Sequence, residues 1–327
     1  MTLNLALLGA GRIGQVHART LAHHPGARLA AVHDPFAADA LAQQHGCPVR
    51  SIDEIAGDPS IDGVLICTPT DTHADLIERF CPTGKAIFCE KPIDLSIPRV
   101  EACLAKVART DTKLMLGFNR RFDPHFDAVI RATAEGRIGT VEQVTITSRD
   151  PGPPPKDYIA VSGGIFRDMM IHDFDIARVL LAEPVQTVQA SAAALIDPSI
   201  RALDDYDTAS VILTTASGRQ ALIANSRRAS YGYDQRIEVH GATGSLTALN
   251  QRPIDIEHAS AHGTLRPPLH DFFMTRYTEA YTREITAFIK TIAEGLPPDP
   301  SGADGLAALR LADAAVTSVE SGKAVAL

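Results

Sequence analysis

Apolar positions in the first third of the chain fall into short runs, separated by stretches with helical spacing. Residues 5–8 form one such run, ending in glycine, and Ile13, Val16, Thr20 and Leu21 then share one face of a helix. The alternation continues with a strand at 29–33, a helix at 38–45 and a strand at 63–67 that opens onto Thr68-Pro69-Thr70. A helix at 71–81, a strand at 86–89, a helix at 100–109 and a strand at 113–118 follow. Strand–helix units with short connections predict a doubly wound parallel sheet.

Beyond about residue 119 the period changes. After a helix at 126–135, residues 141–148 alternate apolar and polar, and 185–196, 209–215, 220–224 and 237–240 are also strand-like. Turn signals stand at Gly218 and Gly244, and a helix is predicted over 166–181. The C-terminal part returns to helix, with Ile285, Phe288, Ile289 and Ile292 on one face and an alanine-rich segment at 306–319. The prolines of 151–155 mark a short rigid loop, and the chain carries no internal repeat or low-complexity tract. The pattern predicts an α/β protein of two domains: a Rossmann doubly wound parallel sheet over 1–120, then a sheet-rich α/β domain over 121–327.

Composition narrows the functional classes. A chain of 327 residues with 45% hydrophobic content is long enough for two cores. Its net charge of -8 argues against broad contact with nucleic acid or anionic membrane. No apolar run approaches the roughly 20 residues that span a bilayer, and the first residues lack the features of a secretory signal. Cys47, Cys67, Cys81, Cys89 and Cys103 are odd in number and form no C-x-x-C pair. They read as reduced thiols in a cytoplasmic protein.

Gly9-Ala10-Gly11-Arg12-Ile13-Gly14 has the G-x-G-x-x-G pattern between a predicted strand and helix. Gly9 is expected to make the tight turn, Gly11 to admit the pyrophosphate, and Gly14 to let helix pack on strand. The helix N-terminus offers N–H groups and a positive dipole end to the phosphates. Asp34, at the end of the second strand, can accept hydrogen bonds from the adenosine ribose and would repel a 2′-phosphate. Pro35 follows and no arginine stands at 35 or 36, so NAD is expected over NADP.

Two further segments carry candidate chemistry. Cys89-Glu90-Lys91-Pro92 follows a strand at the carboxyl edge of the predicted sheet, where ligands bind in open α/β folds. Proline after Lys91 holds the lysine extended. Asp168 and His172 are four residues apart and would share a helical face. A carboxylate beside an imidazole can fix its tautomer and favour its protonated form, which suits a base that removes a hydroxyl proton. A surface ion pair is the plainer reading, and Asp173 and Asp175 nearby leave a zinc site as a rival, although no further ligand cluster stands out.

The glycine fingerprint, Lys85-Ala86-Ile87-Phe88-Cys89-Glu90-Lys91-Pro92, Gly117-Phe118-Asn119-Arg120-Arg121-Phe122-Asp123 and the Asp168 to His172 segment together resemble the Gfo/Idh/MocA oxidoreductases over nearly the whole length. Within that family the chain resembles the inositol 2-dehydrogenases most, through residues 147–155, 225–236 and 276–281. The resemblance implies that an open, largely antiparallel sheet in the second domain binds substrate and packs against other subunits of a homotetramer. It also implies NAD-dependent oxidation of a cyclic polyol, foremost myo-inositol to 2-keto-myo-inositol (scyllo-inosose).

Carried over residue by residue, the resemblance makes Lys91, Asp168 and His172 the catalytic trio. Lys91 would steady the developing alkoxide, and His172 would take the proton with Asp168 orienting it. The cofactor set becomes Gly9, Gly11, Arg12, Ile13, Gly14, Asp34, Thr68, Pro69, Thr70, His73, Glu90 and Lys91, with no metal. Arg121, Asp150, Tyr231 and Tyr277 join the trio as candidates for holding the remaining hydroxyls. Another inositol isomer or a sugar as substrate, or a non-catalytic NAD-sensing regulator, remain the alternatives.

Overall fold

The computed structural model of the protein describes residues 2–327. Two compact units are formed, one from residues 1–122 and 279–309, the other from 123–278 and 310–327. The first begins β1 (Leu3–Leu8), α1 (Arg12–His23), β2 (Ala27–His33), α2 (Ala38–His45), α3 (Ile52–Gly57) and β3 (Gly63–Ile66). It continues α4 (His73–Phe80), β4 (Ala86–Glu90), α5 (Ile97–Val107) and β5 (Leu114–Gly117). All pairings are parallel, in the order β2-β1-β3-β4-β5. A lone parallel bridge from Val32 to Val49 extends the sheet beyond β2. The order reverses between β1 and β3, the position at which such sheets bind ligands beyond their carboxyl ends. Strands buried on both faces read as unbroken apolar runs, as in β3, where Gly63, Val64, Leu65 and Ile66 are all buried.

The second unit runs α6 (Pro124–Ala134), β6 (Val141–Arg149), α7 (Lys156–Ser162), α8 (Gly164–Asp168), α9 (Ile171–Leu181), β7 (Val185–Ala193), β8 (Thr208–Thr215) and β9 (Gln220–Ser226). Then come β10 (Asp234–Gly241), β11 (Gly244–Ala248), the hairpin β12 (His258–Ser260) and β13 (Gly263–Leu265), and α10 (Phe273–Arg276). After α11 (Thr278–Ala293) and α12 (Gly302–Ser321), β14 (Val325–Ala326) pairs with β7. The large sheet has the order β11-β10-β6-β9-β8-β7-β14 and is antiparallel except between β6 and β9. Its strands alternate between buried and open positions, one face against α9.

Two expectations change. The helix predicted over 166–181 is split into α8 and α9 at Met169-Met170, where Met170 N–H bonds to the Ile165 carbonyl at 2.8 Å, one residue farther back than helical spacing requires. Residues 279–309 belong to the first unit and not to a continuous second block, because Ile285, Phe288 and Ile289 of α11 join Leu5, Leu7, Phe88 and Met115 in one core cluster. Each such side chain stabilises the fold by about 1.5–3 kcal/mol when fully buried.

That core also encloses charge. His17 of α1 is fully buried and its Nε2 lies 2.6 Å from Glu90 Oε1, while Tyr281 and Phe88 meet its ring edge-on. Glu284 of α11 is fully buried beside them, and neither of its carboxyl oxygens has a hydrogen-bond partner. The three side chains bring ligand-type atoms within 4.8 Å of one another. The separation of His17 and Glu90 is that of a direct hydrogen bond, shorter than the roughly 3.3 Å between two ligands of one tetrahedral zinc ion. Burial, reinforced by the neighbouring Glu90 carboxylate, pushes the Glu284 carboxyl well above the usual carboxylate range.

The folded protein therefore holds a proton on Glu284 that the unfolded chain releases above its ordinary value of 4.5. Stability contributed by this group is complete below that value and falls as pH rises, by about 1.4 kcal/mol per pH unit, until the folded group ionises. Glu284→Gln should remove this slope, so melting curves from pH 5 to 8 should show the variant gaining on the wild type as pH rises. Parallel curves for the two proteins would mean that Glu284 is ionised in the folded state.

Candidate active site

The three fingerprint glycines meet different demands in the turn from β1 to α1. Gly9 has φ +97°, and a Cβ there would lie 2.5 Å from the Cys67 carbonyl oxygen. A Cβ on Gly14 would lie 2.0 Å from the Gly9 carbonyl oxygen. At Gly11 a Cβ would meet nothing within 4 Å, so the bare backbone borders open space at the N-terminus of α1. The first-turn N–H groups have no acceptor within the helix, and this cradle fits a dinucleotide pyrophosphate. Arg12 is exposed there, whereas Ile13 is half-buried and packs on the core.

Asp34 follows β2 and its carboxylate is fixed by backbone. Oδ2 accepts from Ala10 N–H at 2.7 Å, and Oδ1 from Phe36 and Ala37 N–H at 2.8 Å each. Burial would push the carboxyl up, but the three N–H donors outweigh it and hold it below its usual value. A fixed anion at the carboxyl end of β2 fits the ribose diol of NAD and opposes a 2′-phosphate.

The loops after β3 and β4 bring further residues of the cofactor set to the same sheet edge. Thr68 and Thr70 are half-buried and Pro69 is exposed. His73, at the start of α4, is buried, with Nε2 2.8 Å from the Thr68 carbonyl oxygen and Nδ1 2.7 Å from that of Pro92. It thus ties the two loops together through both ring nitrogens. Glu90 turns its Oε1 to His17, and a Cβ on Gly117 would lie 2.8 Å from its Oε2. Lys91, next in sequence, is half-buried and precedes a cis proline.

In the second unit Asp168 closes α8 and His172 is the second residue of α9, and both are half-buried. Met169 and Met170 keep right-handed helical angles, so the one-turn offset between the two survives the break. Asp168 Oδ1 accepts from the Tyr158 hydroxyl at 2.8 Å, and Oδ2 lies 3.8 Å from a guanidinium nitrogen of Arg227. Asp173 is fully buried and anchors α9 to the sheet, accepting from Ser148 Oγ at 2.7 Å and Asn225 Nδ2 at 3.0 Å.

The four residues proposed for the remaining hydroxyls differ in their surroundings. Arg121 pairs with Asp299 at 2.7 Å and Asp304 at 2.9 Å, which ties it into the first unit. Burial would raise the Asp304 carboxyl, but the charge and hydrogen bond of Arg121, with the N–H and hydroxyl of Ser301, bring it down to about 2. Tyr277 is buried against Phe126 and Tyr233, with its hydroxyl 3.4 Å from Gln235 Oε1, an environment of core packing. Asp150 is half-buried at the end of β6, and the exposed Tyr231 bonds Asp234 and Arg149 through its hydroxyl.

Sequence reasoning passed over His17, Tyr158 and Arg227. His17 and Arg227 gain their meaning from partners 73 and 22 positions away, and Tyr158 from Asp168, ten positions on. Only the position of His17 on the fingerprint helix, and of Arg227 within the Asn225–Arg236 stretch that carries the resemblance, offered a signal.

Residues 3–118 match the family model described as oxidoreductase family, NAD-binding Rossmann fold, and 126–247 match the GFO/IDH/MocA C-terminal domain. The chain is 65% identical over 321 residues to inositol 2-dehydrogenase of Rhizobium meliloti (strain 1021), covering 98% of this chain and 97% of the relative. A myo-inositol dehydrogenase from Corynebacterium glutamicum ATCC 13032 superposes with a TM-score of 0.96 at 45% identity, covering 100% of this chain and 99% of that one. A scyllo-inositol dehydrogenase from Lactobacillus casei, solved with bound NAD(H) and scyllo-inositol, gives a TM-score of 0.92 at 27% identity, covering 100% and 99%. Fingerprint geometry, sheet order and full-length similarity agree: the chain belongs to the GFO/IDH/MocA oxidoreductase family, and its N-terminal region is that family's NAD-binding Rossmann fold.

Proposed function

We propose that the protein oxidises one hydroxyl of a cyclic polyol to the ketone with NAD, and that its substrate is myo-inositol, giving 2-keto-myo-inositol. The observation that carries this reading is the 65% identity, over almost the whole of both chains, to a relative named inositol 2-dehydrogenase. Bound NAD supplies the hydride acceptor. The protein's own residues have the proton to manage. Lys91 donates a hydrogen bond to the reacting oxygen and steadies its developing negative charge, His172 takes the hydroxyl proton, and Asp168 orients the imidazole.

Asp150 and Tyr231 remain candidates for the other hydroxyls. The ion pairs of Arg121 and the burial of Tyr277 favour supporting roles for those two. The setting we propose is a cytoplasmic homotetramer without nucleic-acid or membrane partners. In support of self-association, the open face of the large sheet leaves Ile212 42% exposed. No helix among the described residues is long and apolar enough to cross a membrane.

A panel of myo-, scyllo- and chiro-inositol and simple sugars, run with NAD and with NADP and followed at the NADH absorbance, tests the substrate. The highest kcat/KM is expected for myo-inositol with NAD. Tight NAD binding with no turnover of any member would favour a sensor.

Asp34→Ser should weaken NAD use and relieve the repulsion of NADP, narrowing the ratio of their kcat/KM values. Equal kcat/KM for the two cofactors in the unaltered protein would remove the basis for assigning Asp34 that role.

A positioned base contributes about 10²–10⁴-fold to rate. His172→Ala should lower kcat within that range while leaving the Kd for NAD nearly intact, and Lys91→Ala should lower it comparably. In the wild type kcat should rise with pH through titration of the base and then level. Near-normal turnover and an unchanged pH profile in His172→Ala would exclude His172 as the base.

A further inference from the structure

Arg227 stands out among the buried side chains of the second unit. It is the largest side chain that is fully buried, and it carries a full positive charge. A guanidinium in such a place needs anionic partners. Its Nη2 lies 3.3 Å from Asp205 Oδ2 and 3.8 Å from Asp168 Oδ2, so one cation faces two carboxylates.

Each member of this group is itself held. Arg227 N–H donates to the Asp207 carbonyl at 2.8 Å, just past the end of β9. Asp205 Oδ1 accepts from Ile165 N–H at 2.7 Å, in the first turn of α8. A Cβ on Gly164 would lie 2.7 Å from that same oxygen, and Gly164 has φ +80°, so glycine there admits the carboxylate. Arg201 donates to the Asp205 carbonyl at 3.2 Å. Burial pushes the Asp205 carboxyl up and the charge of Asp168 adds to this, while Arg227 opposes both. On its other side Asp168 accepts from the Tyr158 hydroxyl of α7. Tyr158 is 48% exposed, so its hydroxyl can be removed without opening a core.

We propose that Arg227 is a positioning residue for Asp168: held by Asp205 and aided by Tyr158, it fixes the carboxylate that orients His172. The inference rests on the proposed roles of Asp168 and His172. A hydrogen bond on one oxygen and a guanidinium 3.8 Å from the other narrow the orientations of the carboxylate, whereas a free aspartate at the end of a five-residue helix would sample several rotamers. Arg227 also limits the negative potential that Asp168 would impose on the base. Arginine suits both tasks, because its planar fork can face two carboxylates at once.

The test compares Arg227→Met, Arg227→Lys, Tyr158→Phe and His172→Ala in the full-length protein with NAD and myo-inositol. Arg227→Met should lower kcat by about tenfold or more, short of the roughly 10²–10⁴-fold loss for a missing base, with the Kd for NAD unchanged. The rising limb of its kcat–pH profile should move to higher pH, because the Asp168 carboxylate, no longer offset by a guanidinium, favours the protonated imidazole. Arg227→Lys keeps the charge, so its limb should stay near the wild-type position and part of kcat should return. Tyr158→Phe should lower kcat several-fold with NAD binding intact, and it supplies the answer if Arg227→Met fails to fold.

Wild-type kcat and pH profile in a folded Arg227→Met would overturn the proposal. So would equal losses in the Met and Lys variants with unmoved limbs, which is the mark of a structural residue only. Should Arg227→Met not fold, wild-type kcat in Tyr158→Phe overturns it. Normal turnover in His172→Ala, by contrast, overturns the base assignment, and it is read independently of the Arg227 and Tyr158 variants.

Discussion

At Gly9 and Gly14, where β1 turns into α1, no side chain can fit. The Cys67 carbonyl occupies the place of a Cβ on Gly9, and the Gly9 carbonyl occupies that of a Cβ on Gly14. This contact sets how closely the first helix lies on the sheet, and with it the direction in which the bare backbone of Gly11 and the first N–H groups of α1 face. Asp34 is bound to the same turn through Ala10 N–H, so the ribose and phosphate ends of the cofactor site form one hydrogen-bonded piece. The loop after β3, which Gly9 touches at Cys67, is joined through His73 to the Lys91-Pro92 turn. Tight packing at two glycines thus propagates to the candidate lysine.

Much of this was legible in the sequence because it is local. The parallel sheet follows from apolar runs whose period is unmistakable, and the fingerprint glycines lie within six residues of one another. The short helix α3 lies outside the expected elements although its signal is present: Ser51 and Glu54 form a reciprocal capping box. The break at Met169-Met170 has no such signal, since both residues are good helix formers held at helical angles. Tyr277 illustrates another limit, because an aromatic that packs in a core and one that lines a pocket look alike in a single sequence.

Buried polar groups were the least legible part. His17 with Glu90, Asp123 with Arg276, and Asp205 with Arg227 join residues 73, 153 and 22 positions apart. Asp123 both caps α6 and pairs with Arg276, so one carboxylate fixes the start of a helix and the segment that precedes α11. Such pairs add little net stability over apolar packing of the same shape, but removal of one member strands the other in a low dielectric. Their value lies in fixing geometry, and geometry is what a site that moves protons requires.

The return of residues 279–309 to the first unit has a consequence for the order of assembly. The five strands of the parallel sheet are synthesised first, yet Ile285, Phe288 and Ile289, which cover Phe88 and its neighbours, arrive only after all of 123–278. Residues 1–122 alone would leave that apolar surface open to water. The first unit to leave the ribosome is therefore completed late, and a nascent chain must keep its unfinished core from other chains until α11 emerges. Residue 122 marks a boundary in space but not a place where the chain can be cut into two independently folding pieces.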